Sequence, residues 1–85
     1  MAGYKLLIKP SAVKEIEALP RKERKRIVSR IRGLSSNPRP AGSEKLSGQD
    51  KYRLRQGDYR ILYEVNDKQL FLVIVKVGHR SEVYR

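Results

Sequence analysis

The sequence contains no cysteine and few acidic residues, nine Asp and Glu among 85 residues. Without cysteine the fold has neither a disulfide nor a thiolate metal site, a composition that fits a reducing cytoplasm. The acids are scattered among basic residues, whereas two-metal nucleases need clustered carboxylates. The N-terminal apolar stretch is too short for a signal peptide, and no segment is long enough to span a membrane. We therefore expect a cytoplasmic protein with no metal and no cofactor.

Positive charge is the most prominent feature that is present. Twenty Lys and Arg give the chain a formal net charge of +11 at pH 7. A field of this sign attracts nucleic acid, an acidic protein or an anionic membrane. The length of 85 residues predicts a single domain, 1–85, with a small and marginally stable core. Because like charges repel, we expect an anionic partner to stabilise the fold.

The first half of the chain predicts a strand followed by a helical hairpin. Residues 4–9, YKLLIK, alternate in the manner of a half-buried strand, which Pro10 ends. Ser11 is predicted to cap the helix that follows. Apolar residues recur at helical spacing on both sides of Pro20, which separates two helices. Residues 35–50 are rich in Ser, Pro and Gly and are predicted to form a long loop.

The second half predicts three strands, near 51–56, 59–66 and 69–77. Gly57-Asp58 and Asn66-Asp67 supply the chemistry of tight hairpin turns between them. The last strand, LFLVIVKV, is apolar almost throughout and is predicted to be central and covered on both faces. The predicted fold is α+β with the order β-α-α-β-β-β, an antiparallel sheet with a helical hairpin packed on one face.

The predicted second helix carries many basic residues and a single acid, Glu23. A solvated outer face is the ordinary interpretation of such a run of charges. The excess of one sign favours a surface that docks RNA phosphates. The residues predicted to bind RNA, on this helix, in the following loop and at the start of the next strand, are Lys22, Lys25, Arg26, Arg30, Lys45 and Lys51.

The segment YRLRQGDYRILYEV, residues 52–65, repeats arginine at alternating positions. Side chains alternate between the faces of a strand, so Arg53 and Arg55 share one face. Arg60 begins the next strand and can point to the same side, where we expect all three arginines to be exposed. The residues that can build a cationic cleft with the tail VGHRSEVYR are Arg53, Arg55, Arg60, His79, Arg80 and Tyr84.

Each of these residues also has an ordinary structural interpretation. Exposed arginines on sheet faces are common, and a lone histidine is more often structural than catalytic. The clustering of the residues is what favours a site.

Three segments, KLSG, YRLRQGDYRILYEV and VGHRSEVY, resemble the RelE/ParE toxin superfamily, specifically its RelE-like branch. The resemblance covers nearly the whole chain. It implies a microbial RNase-like α+β domain that cleaves mRNA endonucleolytically, usually on the ribosome. It also implies a cognate, RelB-like antitoxin that neutralises the toxin by wrapping around it.

The resemblance further implies roles for individual arginines. Arg53 and Arg55 stand where relatives have lysine or arginine on the active face. Arg60 stands at the position expected to hold the scissile phosphate, and Arg80 at the arginine that follows the VG turn. The ribose 2′-OH can attack the adjacent phosphorus without an external nucleophile, and arginine neutralises the charge that develops on the transition state.

Proton transfer is left open between His79 and Tyr84. Arginine stays protonated, so it is a poor replacement for a lysine that acts as a base. His79 coincides with a histidine that some branches of the superfamily use as general acid. Tyr84 coincides with a C-terminal tyrosine thought to stack on the substrate or to exchange protons with it. Lys51 is a weaker alternative.

Two other functions remain possible on this sequence. A ParE-like toxin would bind DNA gyrase and would not cut RNA. A non-catalytic RNA-binding module would use the same basic surface without chemistry.

Overall fold

The computed structural model describes residues 3–46 and 50–79. Its elements are β1 Lys5–Ile8, α1 Pro10–Glu17, α2 Arg21–Leu34, β2 Ser43–Lys45, β3 Lys51–Gln56, β4 Tyr59–Asn66 and β5 Phe71–His79. The five strands form one sheet in the order β1-β5-β4-β3-β2. Neither helix has the length and apolar character needed to cross a membrane. The predicted α+β class is confirmed.

The core lies between one face of the sheet and the apolar stripes of both helices. Ile16 of α1 and Ile27, Ile31 and Leu34 of α2 are buried there. The buried sheet residues are Tyr52, Leu54, Ile61, Tyr63, Val65, Leu72, Ile74 and Val77. The sheet therefore has a helix-bearing face and a second face, called here the helix-free face, that neither helix covers.

The first helix begins two residues earlier than predicted. Pro10 is its first residue and Lys9 is the N-cap, without a side-chain cap hydrogen bond. Proline suits the first helical position because its φ is already helical and no partner is needed for the N–H that it lacks. The strand ends at Ile8, two residues before Pro10, and the prediction that Ser11 caps the helix is wrong.

The pairing of the strands differs from the predicted wholly antiparallel sheet. β1 runs parallel to β5, while the other neighbouring pairs are antiparallel. The central strand is β4, and β5 lies between β1 and β4. The turn after β4 spans residues 67–70 rather than two residues, and Leu70 has a left-handed φ of 56°. The other predicted turn, at Gly57, is confirmed, and Gly57 has a φ of +60°.

The segment predicted as a loop contains a short edge strand. β2 covers three residues and pairs with β3, so that Glu44 lies opposite Arg53. Leu46 follows it, half-buried, and its N–H donates to the carbonyl of Lys51 over 2.8 Å. A three-residue strand is too short to show a pattern of alternation in the sequence.

A polar cluster, called here the Arg39 clamp, fastens the rest of this loop. The guanidinium of Arg39 donates to both carboxylate oxygens of Asp67, over 3.1 and 2.7 Å, and its Nε donates to the Tyr52 hydroxyl over 2.8 Å. The Tyr4 hydroxyl donates to Asp67 over 2.7 Å. These bonds lower the pKa of Asp67 and raise the pKa of both Arg39 and Tyr4. The clamp joins the loop to β3 and to the β4–β5 turn.

Candidate functional site

The three arginines of the hairpin lie together on the helix-free face. Tyr52 and Leu54 are buried on the other face of β3, so Arg53 between them points away from the helices. Arg55 has the same parity and is paired directly with Arg60 of β4. Directly opposed residues project to the same side of a sheet. Arg53, Arg55 and Arg60 are called here the arginine cluster.

Two members of the arginine cluster carry like charges directly opposite each other on neighbouring strands. Arg55 lies opposite Arg60, whose partner on the other side is Gly78. Like charges directly opposite each other destabilise a strand pair. A bound oxyanion would remove the repulsion, and arginine binds phosphate oxygens through two parallel donors. The cluster therefore has the chemistry of a candidate anion-binding site.

Arg60 is the most enclosed member of the cluster. Only 7% of its surface is exposed, whereas Arg55 is exposed. The expectation that all three arginines are exposed is therefore wrong for Arg60. Arg53 is half-buried, and its guanidinium lies 3.2 Å from the carboxylate of Glu44 on the edge strand. A half-buried charge acts through a lower dielectric than an exposed one, which strengthens its interaction with an anion.

The structure places His79 on the opposite face of the sheet from the arginine cluster. Ile74 pairs with Tyr63 and Lys76 pairs with Leu62, so β5 carries one extra residue between them. A one-residue bulge reverses the faces of all later side chains of a strand. His79, paired with Tyr59, consequently lies on the helix-bearing face. The expectation of a single cleft that holds His79 with the arginines is corrected by this bulge.

His79 instead borders a separate polar cleft of about 420 Å³. Its ring meets the ring of Tyr59 edge-on, with centroids 5.8 Å apart and planes at 80°. Glu23 and Arg26 of α2 and the Gly57-Asp58 turn complete the lining. The environment of His79 thus combines carboxylates, one guanidinium and an aromatic ring.

Three of the predicted RNA-binding residues of α2 come together beside β3. Lys25, Arg26 and Arg30 line a cleft of about 380 Å³, called here the α2–β3 cleft. Ser29 and Gln56 complete its described lining. These two neutral residues are not among the predicted site residues, although Ser29 follows Lys25 by four positions and therefore lies on the same side of the helix.

The other three predicted RNA-binding residues are dispersed. Lys22 is exposed in the first turn of α2. Lys45 is exposed on the edge strand, opposite Tyr52. Lys51 lies opposite Glu64, with its ammonium 3.9 Å from the carboxylate. These lysines belong to neither the arginine cluster nor the α2–β3 cleft.

The helix-free face also has an apolar half. Leu7 of β1 is 41% exposed and pairs with Val73 of β5, and Phe71 stands two residues before Val73. Phe71 and Val73 are half-buried. Leu62 lies opposite Arg53 and joins this apolar half to the arginine cluster. One face of the sheet thus offers an apolar region beside a cationic one.

The remaining predictions concern Arg80, Tyr84 and the binding of metal. Arg80 and Tyr84 lie outside the described residues, so their roles stay predictions from the sequence. Among residues 3–46 and 50–79, no group of three or more His, Cys, Asp or Glu is placed to hold a metal ion.

Comparisons with known proteins identify the class to which this small, basic α+β domain belongs. The sequence model of the family described as "ParE toxin of type II toxin-antitoxin system, parDE" matches residues 6–84. A putative RelE-like toxin protein of Escherichia coli is 33% identical over an alignment of 86 positions, which covers 95% of this chain and 90% of that protein.

Solved structures agree with this match. A chain of the archaeal RelE–RelB complex from Pyrococcus horikoshii superposes with a TM-score of 0.81 at 30% identity, over 94% of this chain and 98% of that chain. The isolated E. coli RelE toxin gives a TM-score of 0.79 at 27% identity, over 95% and 90%. The chain belongs to the RelE/ParE family of type II toxin–antitoxin toxins and is RelE-like.

Proposed function

We propose that this toxin is an endoribonuclease that cuts mRNA on the ribosome, in the cytoplasm, with the ribose 2′-OH as nucleophile and no metal ion. The observation that supports the proposal is the opposed pair of Arg55 and Arg60 beside Arg53 on the helix-free face. Three guanidinium groups there would grip the scissile phosphate and neutralise the charge that grows on it during the reaction.

The proposed reaction assigns different tasks to different residues. Arg60, enclosed and directly opposite Arg55, would hold the phosphate. The 2′-OH gives up its proton to a base as its oxygen bonds to phosphorus, and the bond from phosphorus to the 5′-oxygen of the next nucleotide breaks as that oxygen takes up a proton. His79 lies on the other face of the sheet and is poorly placed for direct proton transfer at this phosphate. Proton transfer is therefore assigned to Tyr84, on the resemblance alone.

The experiment that tests the proposal is cleavage by purified toxin on translating ribosomes, followed by mapping of the mRNA ends. Attack by the 2′-OH predicts a 2′,3′-cyclic phosphate, or its opened form, on one fragment and a 5′-hydroxyl on the other. With a minimal RNA in place of the Mg²⁺-requiring ribosome, cleavage should persist in EDTA. Fragments with 5′-phosphates would instead indicate attack by water and refute the mechanism.

A second candidate function is inhibition of DNA gyrase. It is favoured by the description of the matching family model, which names the ParE toxin of the parDE system. A gyrase supercoiling assay with the same protein preparation separates the two functions. Inhibited supercoiling with intact mRNA would select the ParE-like function. Bound but uncut RNA with normal supercoiling would select a non-catalytic RNA-binding module.

We also propose that an antitoxin covers the helix-free face. Several of the similar solved structures are RelB–RelE antitoxin–toxin complexes. On this chain, the apolar half formed by Leu7, Phe71 and Val73 lies on the same face as the arginine cluster. An amphipathic segment with acidic residues beside its apolar side matches both regions, since it buries apolar surface and pairs the arginines.

A further inference from the structure

The α2–β3 cleft is lined by hydrogen-bond donors. Lys25, Arg26, Ser29 and Arg30 are spaced along α2 so that they occupy adjacent turns on one side of the helix. Gln56 closes the cleft from the end of β3. The described lining includes three cations, one hydroxyl and one amide, and no carboxylate. A cleft of this composition selects a ligand with negative charge and several acceptor oxygens.

Arg30 is the least exposed of the three cations that line the cleft. Its Nε is buried and has no hydrogen-bond partner within the described part of the chain. Its side chain reaches toward the loop, because Nη2 would lie 3.9 Å from a Cβ placed on Gly42. A partly buried guanidinium acts through a lower dielectric than an exposed charge, so Arg30 is expected to attract an anion in the cleft more strongly than Lys25 or Arg26.

We propose that the α2–β3 cleft binds one backbone phosphate of an RNA. Phosphate provides the charge and the tetrahedral set of acceptors that two arginines, a lysine, a hydroxyl and an amide can surround. Backbone phosphates position an RNA without reading its sequence. The cleft is therefore a positioning site, separate from the phosphate that reacts.

The cleft and the arginine cluster lie on opposite faces of the sheet. Gln56 differs in parity from Arg53 and Arg55 and faces α2, whereas the two arginines face away from it. The reacting strand would occupy the helix-free face, so we assign the cleft to structured ribosomal RNA. This assignment of the source rests on the proposed ribosomal function, whereas binding of phosphate as such does not.

The first test is a titration of the full-length toxin with inorganic phosphate, followed by NMR of the arginine Nε–H groups and the backbone amides. We expect a saturable shift of the Arg30 Nε–H resonance together with the amides of Ser29 and Gln56. Arg30→Gln should weaken binding by about tenfold or more, the scale of a lost charged hydrogen bond.

Two variants leave the net charge unchanged. They distinguish a specific phosphate-binding site from general electrostatic attraction to a basic surface. Ser29→Ala and Gln56→Ala should each weaken phosphate binding by roughly two- to fivefold, since each removes one neutral contact. Lys14→Ala removes one exposed charge of α1 and should have little effect at 0.15 M salt, where the screening length is about 8 Å. Shifts spread over all cationic residues, with the neutral variants unchanged, would overturn the proposal. The melting temperature of Arg30→Gln reports whether this variant folds. If it does not, Ser29→Ala and Gln56→Ala still test the proposal.

The second test identifies the source of the phosphate. Affinity for intact ribosomes and for a short single-stranded RNA is measured with wild type, Ser29→Ala and Gln56→Ala. A loss for ribosomes with unchanged binding of the short RNA supports the assignment to ribosomal RNA. Unchanged affinity for ribosomes would overturn it, even if phosphate binding is lost. If the wild type cuts no RNA, the proposed function fails while the phosphate titration still reports on the cleft.

Discussion

Arg60 differs from its neighbours because it combines charge, enclosure and an opposed arginine. It is 7% exposed and lies directly across from Arg55. If it holds the reacting phosphate, its contribution grows as negative charge develops toward the transition state. Arg60→Ala should then reduce the single-turnover rate at saturating ribosome by on the order of 10²-fold or more, as for the loss of one preorganised donor. Arg60→Lys should restore only part of the rate, because an ammonium cannot reproduce the planar fork.

Two companion variants make the result for Arg60 interpretable. Lys68→Ala removes one exposed charge from the β4–β5 turn and should leave the saturated rate unchanged. Arg55→Ala removes an exposed member of the arginine cluster, so it tests the site even if Arg60→Ala destabilises the fold. Weaker binding with an intact saturated rate in both cluster variants would mean that the arginines dock RNA and do not act in catalysis.

Asp67 gives the Arg39 clamp a defined dependence on pH. Hydrogen bonds from Arg39 lower the pKa of its carboxyl below the ordinary value of 3.8. A folded-state pKa below the unfolded one means that folding favours the carboxylate, so the stabilisation is complete above the unfolded value. It disappears as the pH falls through the folded-state pKa. The melting temperature of Asp67→Asn should therefore lie below that of the wild type at pH 7, and the two should converge on acidification to below pH 3.8.

A charge-matched control is available for this comparison. Asp50→Asn also raises the net charge by one at an exposed position. Its effect reports the general repulsion in a chain of net charge +11. If the difference in melting temperature between the wild type and Asp67→Asn stays constant from pH 7 to pH 2, the ion pair is not the origin of that difference.

At the scale of elements, the sequence carried enough information for the faces of β3 but not for those of β5. The alternation Tyr52, Arg53, Leu54 is visible in the sequence and predicts the cluster on the helix-free face. β5 is apolar at nearly every position, so an extra residue near Val75 leaves no trace in its pattern. The sequence pattern therefore groups His79 with the arginines, whereas in the fold His79 lies on the opposite face of the sheet. The parallel pairing of β1 and the Arg39 clamp were likewise unpredictable, because both depend on contacts between residues far apart in the chain.

Glu15 of α1 continues the edge of the sheet where β1 ends. One of its carboxylate oxygens accepts the backbone N–H of Val77 over 3.0 Å, and the other accepts Lys76 over 3.0 Å. Glu15→Ala should lower the free energy of unfolding by about 1–3 kcal/mol, because it leaves the Val77 N–H without this acceptor. Glu15→Gln should lose less, since its amide oxygen can still accept that N–H.

Urea unfolding of the two variants measures this difference, and hydrogen exchange at Val77 locates it. Glu17→Ala on the same helix is the control, since Glu17 is exposed. Equal losses for Glu15→Ala and Glu15→Gln would assign the effect to the ion pair with Lys76 and contradict the role of the backbone hydrogen bond.

At the scale of the whole molecule, positive charge is concentrated on both faces of the sheet. The arginine cluster lies on the helix-free face, and Lys25, Arg26 and Arg30 lie around the cleft beside α2. Under the proposed function, one side would engage the reacting strand while the other engages a second RNA. A partner that covers only the helix-free face would then block the proposed catalysis and leave the basic surface of α2 accessible.

The antitoxin proposal makes the last prediction, which concerns stability and location together. A ligand that binds only the folded toxin adds about 4 kcal/mol of stability when its free concentration is ~1,000 times Kd. In a domain of this size each kcal/mol raises Tm by roughly 4–8 °C, so co-expression should raise Tm by tens of degrees at most.

Two variants of similar exposed apolar residues locate the antitoxin contact. Leu7→Glu on the helix-free face should remove most of the gain in Tm, because it places an acid where an acidic, amphipathic partner docks. Val13→Glu on α1 is the matched control, since Val13 is 37% exposed and Leu7 is 41% exposed. Scanning calorimetry of each toxin, alone and with a co-expressed cognate antitoxin, measures the gain. Equal gains for the two variants would place the antitoxin elsewhere, and an antitoxin that leaves the wild-type Tm unchanged would refute the linkage.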